Sequence, residues 1–415
     1  MENTKSIVEV TECRLNKRFY KPHDRYNIKY LINTIYSDFG INSGKTLAAD
    51  CLKNSKKYDN VMLILLDGLS YYLYQKHIKK LPKTKRMFLD KKLLSSKLTT
   101  IFPPTTTSVI PFLMTGYMPE ESGLYEWWQY EKNSDEIICP FLFQYINGSE
   151  SIDMKNLGVN PDSIYMESRF YNNLMKNGIK VTSFTRDYTS PFNCIANRET
   201  NVLTFNHISE YFKYFRQMEI KGRNFFYVYE PSIDYYEHKF GVNSKECSDC
   251  ILEILNELYI LLKYIDEELD EDMRVFITAD HGLIDIPYKN IIFLDKEIEN
   301  IDIYLKKKKN GEPIGCGGSA RACTLHIEEG MVDEFINIAK GILSGRGEVF
   351  RIKEIIDMGL FNEDLISDRF KLNMGNVIFL AYLGEGVWFE EDLSMFKAFH
   401  GGLSKDELHI PLLVY

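Results

Sequence analysis

The chain has 415 residues and a net charge of −9, too long for one ordinary compact core, with acidic and basic residues mixed along its length. That mixture excludes a polyanion-wrapping surface, so duplex nucleic acid is not an expected partner. Charges run through the first thirty residues and no stretch of eighteen apolar residues occurs, so neither a signal peptide nor a membrane span is expected; with eight irregularly spaced cysteines, this favours reduced thiols and a cytoplasmic location without a membrane partner.

Residues 1–58 read as an N-terminal extension packed on the core, with a short helix over 30–36. From 59 to about 300, apolar runs alternate with helical periodicity: strands near 61–66, 179–184, 224–229 and 274–279, helices near 70–80, 165–177 and 246–270. The last of these is the clearest, because Ile251, Ile254, Leu255, Leu258, Leu261, Leu262 and Ile265 recur at three and four. Such alternation predicts an α/β fold with a central, mostly parallel sheet flanked by helices on both faces. Residues 301–395 carry the Lys306–Lys309 run, a glycine cluster and a helix and strand set of their own, and read as an inserted cap. The chain then returns to the catalytic domain (59–300 and 396–415) and closes with a strand over 410–415. Cys247 and Cys250 form a lone C-x-x-C at the start of a helical pattern and read as core-facing thiols.

Chemistry-bearing residues collect at strand ends. Asp67 closes the first run, Asp280 and His281 close the run at 275–279, Asp234 and His238 follow the run at 225–229, and Thr106 and His400 lie in Gly/Pro/Thr-rich turns. In an open α/β sheet the carboxyl ends of strands form the ligand crevice, so these groups can converge. Mixed carboxylate and imidazole donors suit divalent metal, zinc first and manganese or magnesium as alternatives, and there are enough for two ions.

In this order, Leu66-Asp67-Gly68, Phe102-Pro103-Pro104-Thr105-Thr106-Thr107 with Thr115-Gly116, Asp234-x-x-x-His238, Ala279-Asp280-His281-Gly282 and His400-Gly401-Gly402 resemble the alkaline phosphatase superfamily, type I phosphodiesterase/nucleotide pyrophosphatase branch. The resemblance implies a two-metal hydrolase of phosphodiester or phosphoanhydride bonds acting on a small-molecule phosphodiester or nucleotide. Asp234, His238 and His400 would hold one ion; Asp67, Asp280 and His281, with the Thr106 hydroxyl, would hold the other. Thr106 would be the nucleophile of a phosphothreonine intermediate, because the family's nucleophile stands nine residues before the threonine of the Thr-Gly pair.

Two positions depart from the pattern. Trp127 stands where relatives carry a phosphate-binding asparagine, leaving that donor unassigned with Gln129 as a nearby candidate, and Ser122 stands where many relatives have histidine. Trp127 and Trp128 are candidates to line the substrate cleft, or else pack in the core. Arg321, after Gly317-Gly318-Ser319, is a candidate phosphate contact, or part of a plain turn. A phosphomonoesterase, phosphonate hydrolase or phosphomutase would use the same ligands; a non-catalytic scaffold is the reading of another class. A sulfatase is disfavoured, since its Cys/Ser-x-Pro-x-Arg element is absent around Thr106. Oligomeric state is not encoded in any motif.

Overall fold

The computed structural model describes residues 1–147, 150–186, 189–389 and 396–415. At its centre is a seven-stranded sheet in the order Leu94–Thr99, His409–Val414, Met273–Thr278, Asn60–Leu66, Arg223–Glu230, Ile179–Thr185, Asn201–Thr204. The strand pairs from Met273–Thr278 outward to Asn201–Thr204 are all parallel, and His409–Val414 runs antiparallel to both of its neighbours. The sheet is therefore mostly parallel, as expected.

Strands covered on both faces must be apolar nearly throughout, and the Asn60–Leu66 strand is buried along its whole length. Consecutive residues of a strand point to opposite faces. Phe225 accordingly meets Phe170 of the Arg169–Lys176 helix at 5.2 Å between ring centres, while Phe226 meets Phe215 of the Ile208–Gln217 helix at 5.4 Å on the other side. The long Lys245–Glu267 helix buries the predicted stripe, from Ile251 to Ile265, and Cys247 and Cys250 lie on the same buried face.

The segment after residue 300 builds a four-stranded sheet, Gly317–Ser319, Ala322–Leu325, Val377–Ala381 and Gly347–Arg351, with a hydrophobic cluster of its own around Phe335 and Phe379. A second small antiparallel sheet, from Gln129–Glu131 to Glu150–Asp153, interrupts the α/β alternation and was not anticipated. The edge strand Leu94–Thr99 was also missed, because Leu-Ser-Ser-Lys-Leu-Thr lacks an apolar run; it is buried by the N-terminal Thr4–Glu12 helix and tied to it through Asn3 N–Ser95 O. The lysine run forms a turn, with Lys306 paired to Glu329 and Lys308 to Glu136. No helix among the described residues is long and apolar enough to cross a membrane.

Candidate active site and metal centre

The Asn60–Leu66, Arg223–Glu230 and Met273–Thr278 strands are adjacent and parallel, so Asp67, Asp234 and Asp280 leave the sheet at the same edge. Their approach depends on Gly68. Its φ of +81° lies in the left-handed region, and a Cβ there would stand 2.9 Å from the Asp234 Cα. The Asp67 carbonyl accepts the Asp234 N–H at 3.1 Å, and the Gly68 N–H donates to Asp280 Oδ1 at 3.1 Å. A turn that small holds three carboxylates in one cavity.

Asp234 lies in the first turn of the Ser232–Phe240 helix, and the i, i+4 spacing puts His238 beside it, with Nε2 3.3 Å from Asp234 Oδ1. His238 Nδ1 donates to the Ala398 carbonyl at 2.7 Å, which fixes the ring with Nε2 facing the carboxylate. His400 Nε2 is 4.0 Å from the same oxygen, and the His400 ring stacks on His281 with centres 3.9 Å apart. His281 Nε2 lies 3.3 Å from Asp280 Oδ2, 3.6 Å from Asp67 Oδ1 and 3.1 Å from Thr106 Oγ1. All seven residues singled out from the sequence thus meet in one place.

This constellation fits divalent metal. Asp67 Oδ1, Asp234 Oδ1 and Asp280 Oδ2 are buried and accept no hydrogen bond from the described residues, an arrangement costly for a protein unless cations satisfy those oxygens. Asp234, His238 and His400 form one cluster of potential ligand atoms within 4.8 Å of one another; Asp67, Asp234 and His281 form a second. Asp234 belongs to both, whereas the sequence assigned it to one; Asp280 lies against the second cluster through His281.

The electrostatics agree. Burial, then the neighbouring Asp280 and Asp234, pushes the Asp67 carboxyl well above the usual range. Burial opposes ionisation of Asp234 too, but His238, His400 and His281 outweigh it and hold Asp234 low. Burial and the two neighbouring imidazoles hold His400 well below its ordinary value, which favours its neutral form. Tyr229, which the sequence reading passed over, donates its hydroxyl to Asp67 Oδ2; its place near the end of the Arg223–Glu230 strand, in a run otherwise read as core, was the available signal.

Thr106 opens the Thr106–Thr115 helix, with Thr105 in extended conformation as N-cap and Gly116 at φ +86° ending it. The first residues of a helix leave N–H groups without intrahelical partners, so Thr106 and Thr107 present donors where a phosphate would lie.

Two sequence expectations need correction. Arg321 is no phosphate ligand: it is 1% exposed and forms a two-pronged ion pair with Glu407 at 2.9 and 3.0 Å, while its remaining arm donates to the Tyr382 and Glu385 carbonyls. Glu407 in turn accepts the Gly402 N–H at 2.9 Å through its carboxylate, and its carbonyl accepts the Gly282 N–H at 3.0 Å. Arg321 therefore buttresses the loops carrying His400 and His281. Removing it leaves a buried carboxylate unpaired, so Arg321→Met is expected to cost about 3–5 kcal/mol in denaturant unfolding.

Gln129 is likewise committed. Its amide donates to the Gly123 carbonyl at 2.8 Å and accepts the Tyr125 N–H at 3.2 Å, closing the loop between them instead of facing a substrate. Trp127 and Trp128 in that loop are half-buried; Trp127 lies 6.0 Å from Phe141 between ring centres, and the Trp128 carbonyl accepts the Gly318 N–H.

Glu126, in the same loop, is by its position downstream of Thr106 a candidate, like the tryptophans, either to line the cleft or to pack in the core. It is buried against Gly401, where a Cβ would come within 3.0 Å of its Oε1, and burial raises its pKa to about 8. A carboxyl whose pKa is higher folded than unfolded loses stabilising effect as pH rises from the unfolded value of 4.5 through the folded value of about 8. Tm measured across that interval is expected to fall less steeply in Glu126→Gln than in the wild type.

The matching family model decides the assignment: type I phosphodiesterase/nucleotide pyrophosphatase, over residues 61–402. The chain belongs to this family. No curated protein matches the sequence. Among solved structures, murine ectonucleotide pyrophosphatase/phosphodiesterase 5 is similar at 14% identity and TM-score 0.61, over 85% of this chain and 87% of that one. An inactive variant of the same murine protein in complex with AMP gives the same values, and the human protein gives a TM-score of 0.60 at 14% identity. At that identity the likeness shows the family's alkaline phosphatase-like fold.

Proposed function

We propose that the protein is a metal-dependent hydrolase of phosphodiester or phosphoanhydride bonds that works through a phosphothreonine at Thr106. The observation that carries this reading is the convergence of Thr106 Oγ1 with His281 and three buried carboxylates, each with an oxygen that accepts nothing from the described residues. Two divalent ions, zinc first among candidates, would be held by Asp234, His238 and His400 and by Asp67, Asp280 and His281; when bound they supply Lewis-acid stabilisation of phosphoryl oxygens and lower the pKa of the threonine hydroxyl.

The rest is done by this chain's own groups. Thr106 Oγ1 attacks phosphorus as its proton passes to water, and the bond to the leaving oxygen breaks with the electron pair going to that oxygen. Water then attacks the phosphothreonine, the P–Oγ1 bond breaks and the hydroxyl is restored. The Thr106 and Thr107 N–H groups at the helix N-terminus supply donors to the phosphoryl oxygens, taking the place of the asparagine that Trp127 replaces. Trp127, half-buried and one residue from Glu126, offers a ring face for a nucleobase. The AMP complex of the murine neighbour supports a nucleotide substrate. A cytoplasmic location remains part of this proposal, supported by the irregular spacing of the eight cysteines.

The test compares metal-loaded protein on bis-p-nitrophenyl phosphate, thymidine monophosphate nitrophenyl ester and p-nitrophenyl phosphate. Diester cleavage should exceed monoester cleavage; dominance of the monoester would transfer the site to a phosphatase or phosphomutase reading.

A further inference from the structure

Beneath the N-terminal segment, on the sheet edge formed by Leu94–Thr99 and His409–Val414, lies a concentration of cations that the reaction at Thr106 does not use. Lys97 is 2% exposed. Its ammonium donates only to hydroxyls, Thr11 Oγ1 at 2.7 Å and Tyr72 OH at 3.3 Å, and lies 4.6 and 4.8 Å from the Tyr71 and Tyr72 ring centres. Lys405 stands 4.5 Å from the same Tyr72 ring. Arg14 lies 4.2 Å from the ring centre of Tyr20, which packs edge-on against His409.

Tyr72 OH accepts from Lys97, so its own proton goes to His409 Nδ1 at 3.1 Å, and His409 is a neutral imidazole with no acceptor at Nε2. Among the described residues, no carboxylate comes within 4.0 Å of the charged groups of Arg14, Lys97 or Lys405. Two acids act on the surrounding groups from farther off: Asp406, whose charge reaches Tyr72 and Lys405, and Glu2, whose charge reaches Tyr71. Burial, with the charge of Lys405, pushes Lys97 down to about 8. The cluster thus gathers three cations while the Lys97 ammonium is met by hydroxyls and not by a carboxylate among the described residues, and an ammonium buried without a counter-charge is costly unless an anion joins it. Arg14 and Thr11 are exposed and give that anion a way in.

We propose that Arg14, Lys97 and Lys405 form a second anion site that binds a tetrahedral dianion of the phosphate or sulfate type. The site adjoins the Lys405–Leu408 helix, which also contains Glu407, the clamp on the His281 and His400 loops. Its occupant therefore touches the segment that steadies the metal centre without entering that centre.

Inorganic sulfate, which does not precipitate zinc, is the probe. Calorimetric titration of metal-loaded protein at low ionic strength should show a saturable sulfate site that persists in Asp234→Asn and weakens about tenfold or more in Lys97→Met. Lys97→Met should keep diester kcat and KM. If Lys97→Met does not fold, the partly or fully exposed pair Arg14→Ala and Lys405→Ala replaces it, with the same loss expected. Equal sulfate affinity in wild type and these variants overturns the proposal. So does binding lost only in Asp234→Asn, which would place sulfate at the metal centre, or heat without saturation in every variant, which would be ionic-strength screening alone.

Discussion

Thr106→Ala is expected to lower diester hydrolysis by about 10³-fold or more, with metal content unchanged. Removal of an activated nucleophile takes away the covalent route altogether, and the activity left comes from the remaining electrostatic stabilisation. The ions would be held mainly by carboxylates and imidazoles, so losing one hydroxyl donor leaves both clusters in place. Single-turnover kinetics with a nitrophenyl diester, together with metal analysis, check both halves. Residual activity within tenfold of wild type would move the nucleophile to another group, and Thr105 and Thr107, buried hydroxyls on either side without partners, would be examined next.

Asp234→Asn is expected to be the most damaging of the ligand substitutions. Its Oδ1 is the atom that His238 and His400 both face, and it belongs to both ligand clusters, so one amide weakens both sites together. Two consequences are measurable. Metal bound per chain should fall from two ions toward none, and hydrolysis should fall with it. Stability should also lose its dependence on metal: free ion at about a hundredfold above its dissociation constant stabilises a native protein by about 2.7 kcal/mol, or roughly 3–6 °C in Tm for a chain of this length. A chelator should therefore lower Tm in the wild type and leave Asp234→Asn unmoved. An equal chelator-induced shift in both would remove Asp234 from the ligand set.

How much of this was readable beforehand follows from the range of the interactions. The five interior strands of the central sheet were all located, because strands buried on both faces demand local apolar runs that stand out in any window of sequence. Asp67, Asp280 and His281 follow directly from such runs. The Leu94–Thr99 strand escaped notice because the N-terminal helix, not its own composition, covers it. Gln129 and Arg321 were misread for a related reason. Each has the chemistry of a ligand-binding side chain, and each spends it inside the protein: Gln129 on its own loop, Arg321 on a carboxylate 86 residues away.

By itself, then, the sequence determined the α/β architecture and the family, and it picked out the seven residues that meet at the strand ends, because those rest on local hydrophobic runs and on spacings within short motifs. Only the tertiary structure decided that Asp234 sits between two clusters, that Tyr229 and Glu126 attend the site, that Arg321 is a buttress, and that Lys97 is buried without a counter-charge. These depend on distances between segments far apart in the chain, set by sheet order, by Gly68 letting the Asp234 backbone approach, and by Gly401 and Gly402 leaving room for the Glu126, Glu407 and Arg321 side chains where a Cβ would collide.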